Sequence, residues 1–90
     1  MAFVKLDDIP SREVCPGCHM RAAHSESMTA TYWVLDEGAN IPPHQHPHEQ
    51  ISSLIRGEIE LTVDGETRHL LPGMVTVIPS NVPHSVVALT

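Results

Sequence analysis

Residues that interrupt regular backbone recur along this chain at intervals too short for helices. Eight prolines and five glycines stand at Pro10, Pro16-Gly17, Gly38, Pro42-Pro43, Pro47, Gly57, Gly65, Pro72-Gly73, Pro79 and Pro83. Proline removes a backbone donor and clashes with the preceding helical turn, so the stretch from Pro42 to Pro47 excludes a helix and leaves extended backbone. The segments between the breaks carry scattered Val, Ile and Leu. Short runs of this kind at this spacing predict an all-β sandwich or barrel.

The individual strands follow from the same punctuation. Met28 to Leu35 is rich in β-branched and aromatic residues and is closed by Asp36-Glu37-Gly38. Ile51 to Ile55 reads as a strand ending at Gly57. Glu58 to Val63 alternates with period two, which turns Ile59, Leu61 and Val63 to a core and Glu58, Glu60 and Thr62 to water. Asp64-Gly65 joins that run to Glu66–Leu70 and is a strong two-residue hairpin signal. Met74 to Ile78 and His84 to Leu89 complete the set, with a corner at residues 79–83. The amino-terminal third is less regular: residues 8–11 form a turn or arm, and Pro16-Gly17 another turn.

Ninety residues allow one small domain with a modest core, a size at which a metal or a partner subunit often adds stability. The formal charge of −6 at pH 7 argues against a nucleic-acid or anionic-membrane partner, because either needs a basic patch. The amino terminus lacks the apolar stretch of a signal peptide, and 18 apolar residues nowhere run together. The expectation is a cytoplasmic protein.

Seven histidines, more than the five Lys and Arg residues together, are the compositional anomaly. His44 and His46 lie two apart in an extended segment, so their side chains share a face with Cα atoms roughly 6.5 Å apart. That spacing lets two imidazoles converge on one metal, at bond lengths of about 2.0–2.1 Å. Gln50 opens the next strand, and the distant His84, at a turn-to-strand junction, is placed to close the site from across a barrel. His48 and His69 are expected to be exposed. Glu49, next to Gln50, should point away from such a metal, because neighbours on a strand face opposite sides.

Here the residues form a recognisable pattern. Gly38, five residues, His44-x-His46, three residues, Gln50, six residues and Gly57 resemble the first cupin motif at every spacing, with Gln where the family usually has Glu. Gly73, five residues, Pro79, Asn81 and His84 resemble the second, with Asn81 in place of its second Gly and Ala88 in place of its terminal Asn. The resemblance implies one cupin domain over residues 1–90, a jelly-roll (double-stranded β-helix) barrel. Residues 1–27 would form an arm and first strands, 38–57 the first motif and 73–88 the second. It also implies that His44, His46, Gln50 and His84 hold a divalent metal. Imidazole suits Zn, Ni, Fe and Cu, and an oxygen ligand adds Mn.

The run His46-Pro47-His48-Glu49-Gln50-Ile51-Ser52, and Asn81 to Val86 with it, look like small single-domain cupins that act on unsaturated uronates. Three neutral imidazoles and a neutral amide leave the ion's double charge uncompensated, which makes it a stronger Lewis acid suited to tautomerising, enolising or hydrating a sugar acid. Oxygen activation, as in cupin dioxygenases, and binding without turnover, as in a sensor, are the alternatives. The uronate-acting group also uses residues beyond the second motif, whereas this chain runs six residues past His84. Its barrel wall is therefore expected to be incomplete or supplied by a partner, and the acid–base residue is unassigned.

Cys15-Pro16-Gly17-Cys18-His19 has the C-x-x-C-H spacing of c-type haem attachment. The proline–glycine pair inside it and the missing export signal argue instead for two ordinary thiols flanking a turn. A thioredoxin-like pair would open a helix in an α/β fold, and a zinc site would need two further ligands. Arg21, Arg56 and Arg68 are cations able to grip a substrate carboxylate, although solvation is the default role of each. Arg21 is favoured, because members of the family often carry a basic residue on the strand after this glycine. Tyr32 and Trp33 fall on alternate faces of one strand, so one should line the barrel, and Tyr32 joins Arg21 as a candidate substrate contact. Edge strands and apolar outer faces in so short a barrel predict a homodimer.

Overall fold

The computed structural model describes residues 2–90; Met1, the first residue of the expected arm, lies outside the described residues. Nine strands follow one short 3₁₀ turn at Leu6–Asp8. They are β1 (Arg12–Cys15), β2 (Cys18–His24), β3 (Thr29–Leu35), β4 (Asn40–His44), β5 (Gln50–Ser53), β6 (Ile59–Val63), β7 (Glu66–Leu70), β8 (Val75–Ile78) and β9 (His84–Ala88). They pair as β1-β2-β3, as β4-β9-β6-β7 and as β5-β8, every pairing antiparallel. The fold is all-β, a small jelly-roll barrel. No helix among the described residues is long and apolar enough to cross a membrane.

The expected strands form, with shifts at their ends. β3 starts at Thr29, one residue late, because the Met28 amide and carbonyl both bond to Ser25 in the turn that returns from β2. β5 ends at Ser53 rather than Ile55. Leu54 instead exchanges backbone bonds with Gly73 and Met74, and Ile55 is left exposed. The Asp64-Gly65 turn has positive φ at both residues, 50° and 82°, the type I′ geometry that matches strand twist.

The first hairpin closes on Pro16-Gly17 with Cys15 opposite Cys18. Both thiols are free, Cys18 fully buried and Cys15 partly so. Across β2 and β3, Met20 faces Trp33 and Arg21 faces Tyr32. Directly opposed residues share a face. Trp33 thus lies on the side of buried Cys18 and half-buried Leu35, and Tyr32 and Arg21 lie on the reverse side.

The core is thin: Cys18, Ala39, Leu61, Leu70, Ile78, Ala88 and one polar residue, His84. Register aligns Ala88, Ile59 and Leu70 in one row of the four-stranded sheet, Val86, Leu61 and Arg68 in the next, and His44, His84, Val63 and Glu66 in a third. Because Ala88, Leu61, Leu70 and His84 of these rows are buried, this is the inner face of the sheet. Ile51, Val75 and Val77 lie exposed on the outer face of the β5–β8 pair.

Candidate metal centre

Two loops bring the histidines together. β4 is an edge strand, the position in a sheet that tolerates proline. Pro42 and Pro43 carry no N–H for the ladder, and the register shifts between Ile41 and His44 before His44 comes opposite His84. The Asn81 amide donates to the His46 carbonyl at 2.8 Å, and the Ser80 hydroxyl donates to the Pro47 carbonyl at 2.6 Å. These bonds join the corner before His84 to the segment that carries His46. Asn81 has φ +61°, a left-handed conformation that asparagine tolerates better than most residues. This explains its occupying a motif position that usually holds glycine.

Ring nitrogens of His44, His46 and His84 that could ligate a metal lie within 4.8 Å of one another, with ring centroids 4.2 to 5.7 Å apart. Each Nδ1 faces a backbone carbonyl: His44 that of Pro42 at 2.9 Å, His46 that of His48 at 2.8 Å, His84 that of Val82 at 2.9 Å. A carbonyl only accepts, so Nδ1 is the donor in all three contacts, and in the neutral form of each ring the lone pair falls on Nε2. Metal-binding histidines are commonly held by an outer hydrogen bond of this kind.

Two observations test whether a cation fits among these lone pairs. His84 is 2% exposed, and its Nε2 is buried with no hydrogen-bond partner, a costly arrangement unless something binds there. His46 Nε2 also lies 3.1 Å from Gln50 Oε1, while Gln50 Nε2 donates to the Ser52 hydroxyl at 2.8 Å. In the Nδ1–H tautomer of His46 acceptor faces acceptor here, an arrangement that a cation between them would satisfy. Burial pushes the pKa of His84 down, as do neighbouring His44 and His46, against the opposing pull of the Val82 carbonyl. The lowered pKa favours the neutral form that ligates.

The structure therefore brings together four of the sequence candidates, His44, His46, Gln50 and His84, and keeps others apart. Exposed His48 contributes its carbonyl to His46, and His69 bonds Glu58 at 2.7 Å on the outside. Arg21 donates from Nε to the Ile9 carbonyl at 2.9 Å, and neither it nor Tyr32 shares a side-chain hydrogen bond with the histidines among the described residues. Ser52 was not singled out from sequence. Its place two residues from Gln50, hence on the same strand face, was the available signal.

Comparison with known proteins places this arrangement. The sequence model described as "Cupin domain" matches residues 31–90. The solved structure of KdgF from Halomonas sp. is 33% identical, with a TM-score of 0.89 over 99% of this chain and 83% of that one. An RmlC-like cupin from Shewanella frigidimarina, 23% identical, shares the fold with a TM-score of 0.86 over 100% of this chain and 82% of that one. The dimethylsulfoniopropionate lyase DddQ of Ruegeria pomeroyi is 37% identical over 62 residues, which are 68% of this chain and 31% of the lyase. The chain thus spans about a third of the length of that curated relative. With both motif segments inside the matched region and the fold shared over 99% of this chain with a 33% identical structure, this chain belongs to the cupin family.

Proposed function

We propose that this chain is a metal-dependent enzyme acting on a small oxygenated acid, foremost an unsaturated uronate, by tautomerisation or ring opening. His44, His46, His84 and Gln50 would hold the divalent ion, drawn from Zn, Ni, Mn, Fe or Cu. The observation that carries this reading is the buried, unpartnered Nε2 of His84 within a cluster of His44, His46 and His84 ring nitrogens no more than 4.8 Å apart. When bound, the ion supplies Lewis acidity to a substrate oxygen. The backbone carbonyls hold the three rings in one tautomer, and neutral Gln50 leaves the site's charge available for an anionic oxygen. The uronate assignment draws its support from the resemblance of the segments around His46–Ser52 and Asn81–Val86.

The dimethylsulfoniopropionate lyase relative favours a second reading, carbon–heteroatom bond cleavage in a different small carboxylate. We also propose a homodimer, because Ile51, Val75 and Val77 form an exposed apolar face on an open two-stranded pair. Sedimentation as a monomer at tens of micromolar would contradict the dimer.

The functional test is elemental analysis of the purified protein followed by incubation with 4,5-unsaturated galacturonate. The expected result is metal-dependent consumption that is lost in His46→Ala together with the metal. Full metal occupancy without consumption counts against the uronate reading. Cleavage of dimethylsulfoniopropionate would favour the second reading, and iron-dependent oxygen uptake a dioxygenase.

A further inference from the structure

Glu66, Arg68 and Leu70 occupy alternate positions of β7, and Leu70 is buried. The side chains of this trio therefore belong to the inner face of the four-stranded sheet. Arg68 stands opposite Leu61, which stands opposite Val86; Glu66 stands opposite Val63, which stands opposite His84. Among the described residues Arg68 is the one Lys or Arg on β4, β6, β7 or β9. Two strand spacings and two residues separate its Cα from that of His84, roughly 12 Å.

A cavity of about 350 Å³ opens on this face, lined by Leu61, Val63, Leu70 and Val82 with Glu66 and Arg68. None of the four candidate ligands lines this cavity; its link to them is Val63, which stands opposite His84, and Val82, two residues before it. Its volume lies in the range of small-molecule sites, and apolar walls with a few convergent polar groups are their usual composition.

Arg68 directs both Nε and Nη2 at a single oxygen, Oε2 of Glu66. Its remaining N–H groups form no other side-chain hydrogen bond among the described residues. The two side chains are 73% and 64% exposed, so the ion pair holds weakly and exchanges readily. Asp64, also on the cavity wall, adds negative charge that a ligand anion must outweigh, which puts the demand for a bidentate cation on Arg68.

We propose that Arg68 is a carboxylate-anchoring residue: it receives the carboxylate of a small acid at the end of the cavity away from the histidines, and Glu66 is the internal placeholder that this carboxylate displaces. The proposal rests on the reading of the histidine cluster as a metal centre for an acid substrate. Of the three arginine candidates, Arg21 is engaged by the Ile9 carbonyl on a separate sheet, and Arg56, in the segment after β5, does not line the cavity.

The test follows the arginine Nε–H resonances of the ¹⁵N-labelled, zinc-loaded full chain during titration with D-galacturonate, D-galactose and propionate. Galacturonate and propionate should shift the Arg68 resonance while that of exposed Arg12 stays in place, and galactose should leave Arg68 unmoved. By calorimetry, Arg68→Gln should weaken galacturonate binding about tenfold, the effect of losing one charge-assisted contact, with zinc affinity unchanged. Glu66→Gln should strengthen galacturonate binding. An Arg68 response to propionate without one to galacturonate keeps the carboxylate site and removes the uronate reading. Silence of Arg68 towards both acids, or an Arg68→Gln protein that keeps its preference for galacturonate over galactose, overturns the inference whatever the enzyme's activity.

Discussion

Replacing His84 by leucine should stabilise the metal-free protein and abolish the stabilisation that metal confers. His84 Nε2 is buried without a partner, and leaving such a group unsatisfied costs about 1–3 kcal/mol. Leucine removes that atom and fills much of the same space. It also removes the Nδ1–H bond to the Val82 carbonyl, a loss of about 0.5–1.5 kcal/mol. The balance for the metal-free chain runs from about −0.5 to about 2.5 kcal/mol in favour of leucine. For a domain of this size about 1 kcal/mol corresponds to 4–8 °C in Tm, so the variant should melt between about 4 °C below the wild type and about 20 °C above it.

Metal reverses the order. At a free concentration one hundred times Kd, binding to the native state alone adds about 2.7 kcal/mol, or about 10–20 °C by the same conversion. Without His84 the cluster keeps two imidazoles and an amide, and that gain should largely disappear. Differential scanning calorimetry of both proteins, first in chelator and then in excess zinc or nickel, reads all four values. A His84→Leu protein that melts more than about 10 °C below the wild type in chelator would refute the reasoning. It would make His84 a structural core residue rather than an unsatisfied ligand.

Other perturbations have equally definite outcomes. Ser52→Ala removes the hydroxyl to which the Gln50 amide donates and should weaken metal binding about tenfold, within the range for outer-shell partners, with the fold intact by circular dichroism. Gly57→Ala should cost about 1–2 kcal/mol in chemical denaturation, because Gly57 sits at φ +78°. The added Cβ would also lie 2.8 Å from the Thr90 hydroxyl oxygen that accepts from the Glu58 amide. Burial, with the hydrogen bond and charge of Cys15 and the charges of Asp36 and Glu13 adding to it, pushes the Cys18 thiol up to about 11 from 9.0. The folded state thus holds this proton more tightly than the unfolded chain. The resulting stability is complete below about pH 9 and is lost as pH rises through about 11. Thermal melts across that range should fall accordingly, and alkylation at neutral pH should reach Cys15 well before Cys18.

Strands bounded by proline and glycine were legible because the breaks are local and chemical. The Asp64-Gly65 hairpin and the alternation of Ile59, Leu61 and Val63 needed no tertiary information. β2 was harder to place: Cys18-His-Met-Arg-Ala-Ala-His24 carries residues of good helix propensity and no alternation. It is a strand because β1 and β3 pair with it on both sides, a tertiary context that outweighs propensity. Three of the four residues at the candidate metal centre lie within a seven-residue stretch, and the fourth, His84, stood out by its turn-to-strand junction and then by its place in the second motif. The hydroxyl of Ser52 and the inward position of Arg68 depend on strand register and on which face of the sheet is buried. Residue types alone do not reveal either.

X-ray absorption at the edge of the metal that co-purifies with the full chain tests the central claim most directly. The account predicts a shell of nitrogen and oxygen at about 2.0–2.1 Å, with outer scattering from three imidazole rings, reduced to two in His46→Ala. A sulfur shell at about 2.3 Å, which would assign the metal to Cys15 and Cys18, or a protein that retains no metal at all, would contradict it.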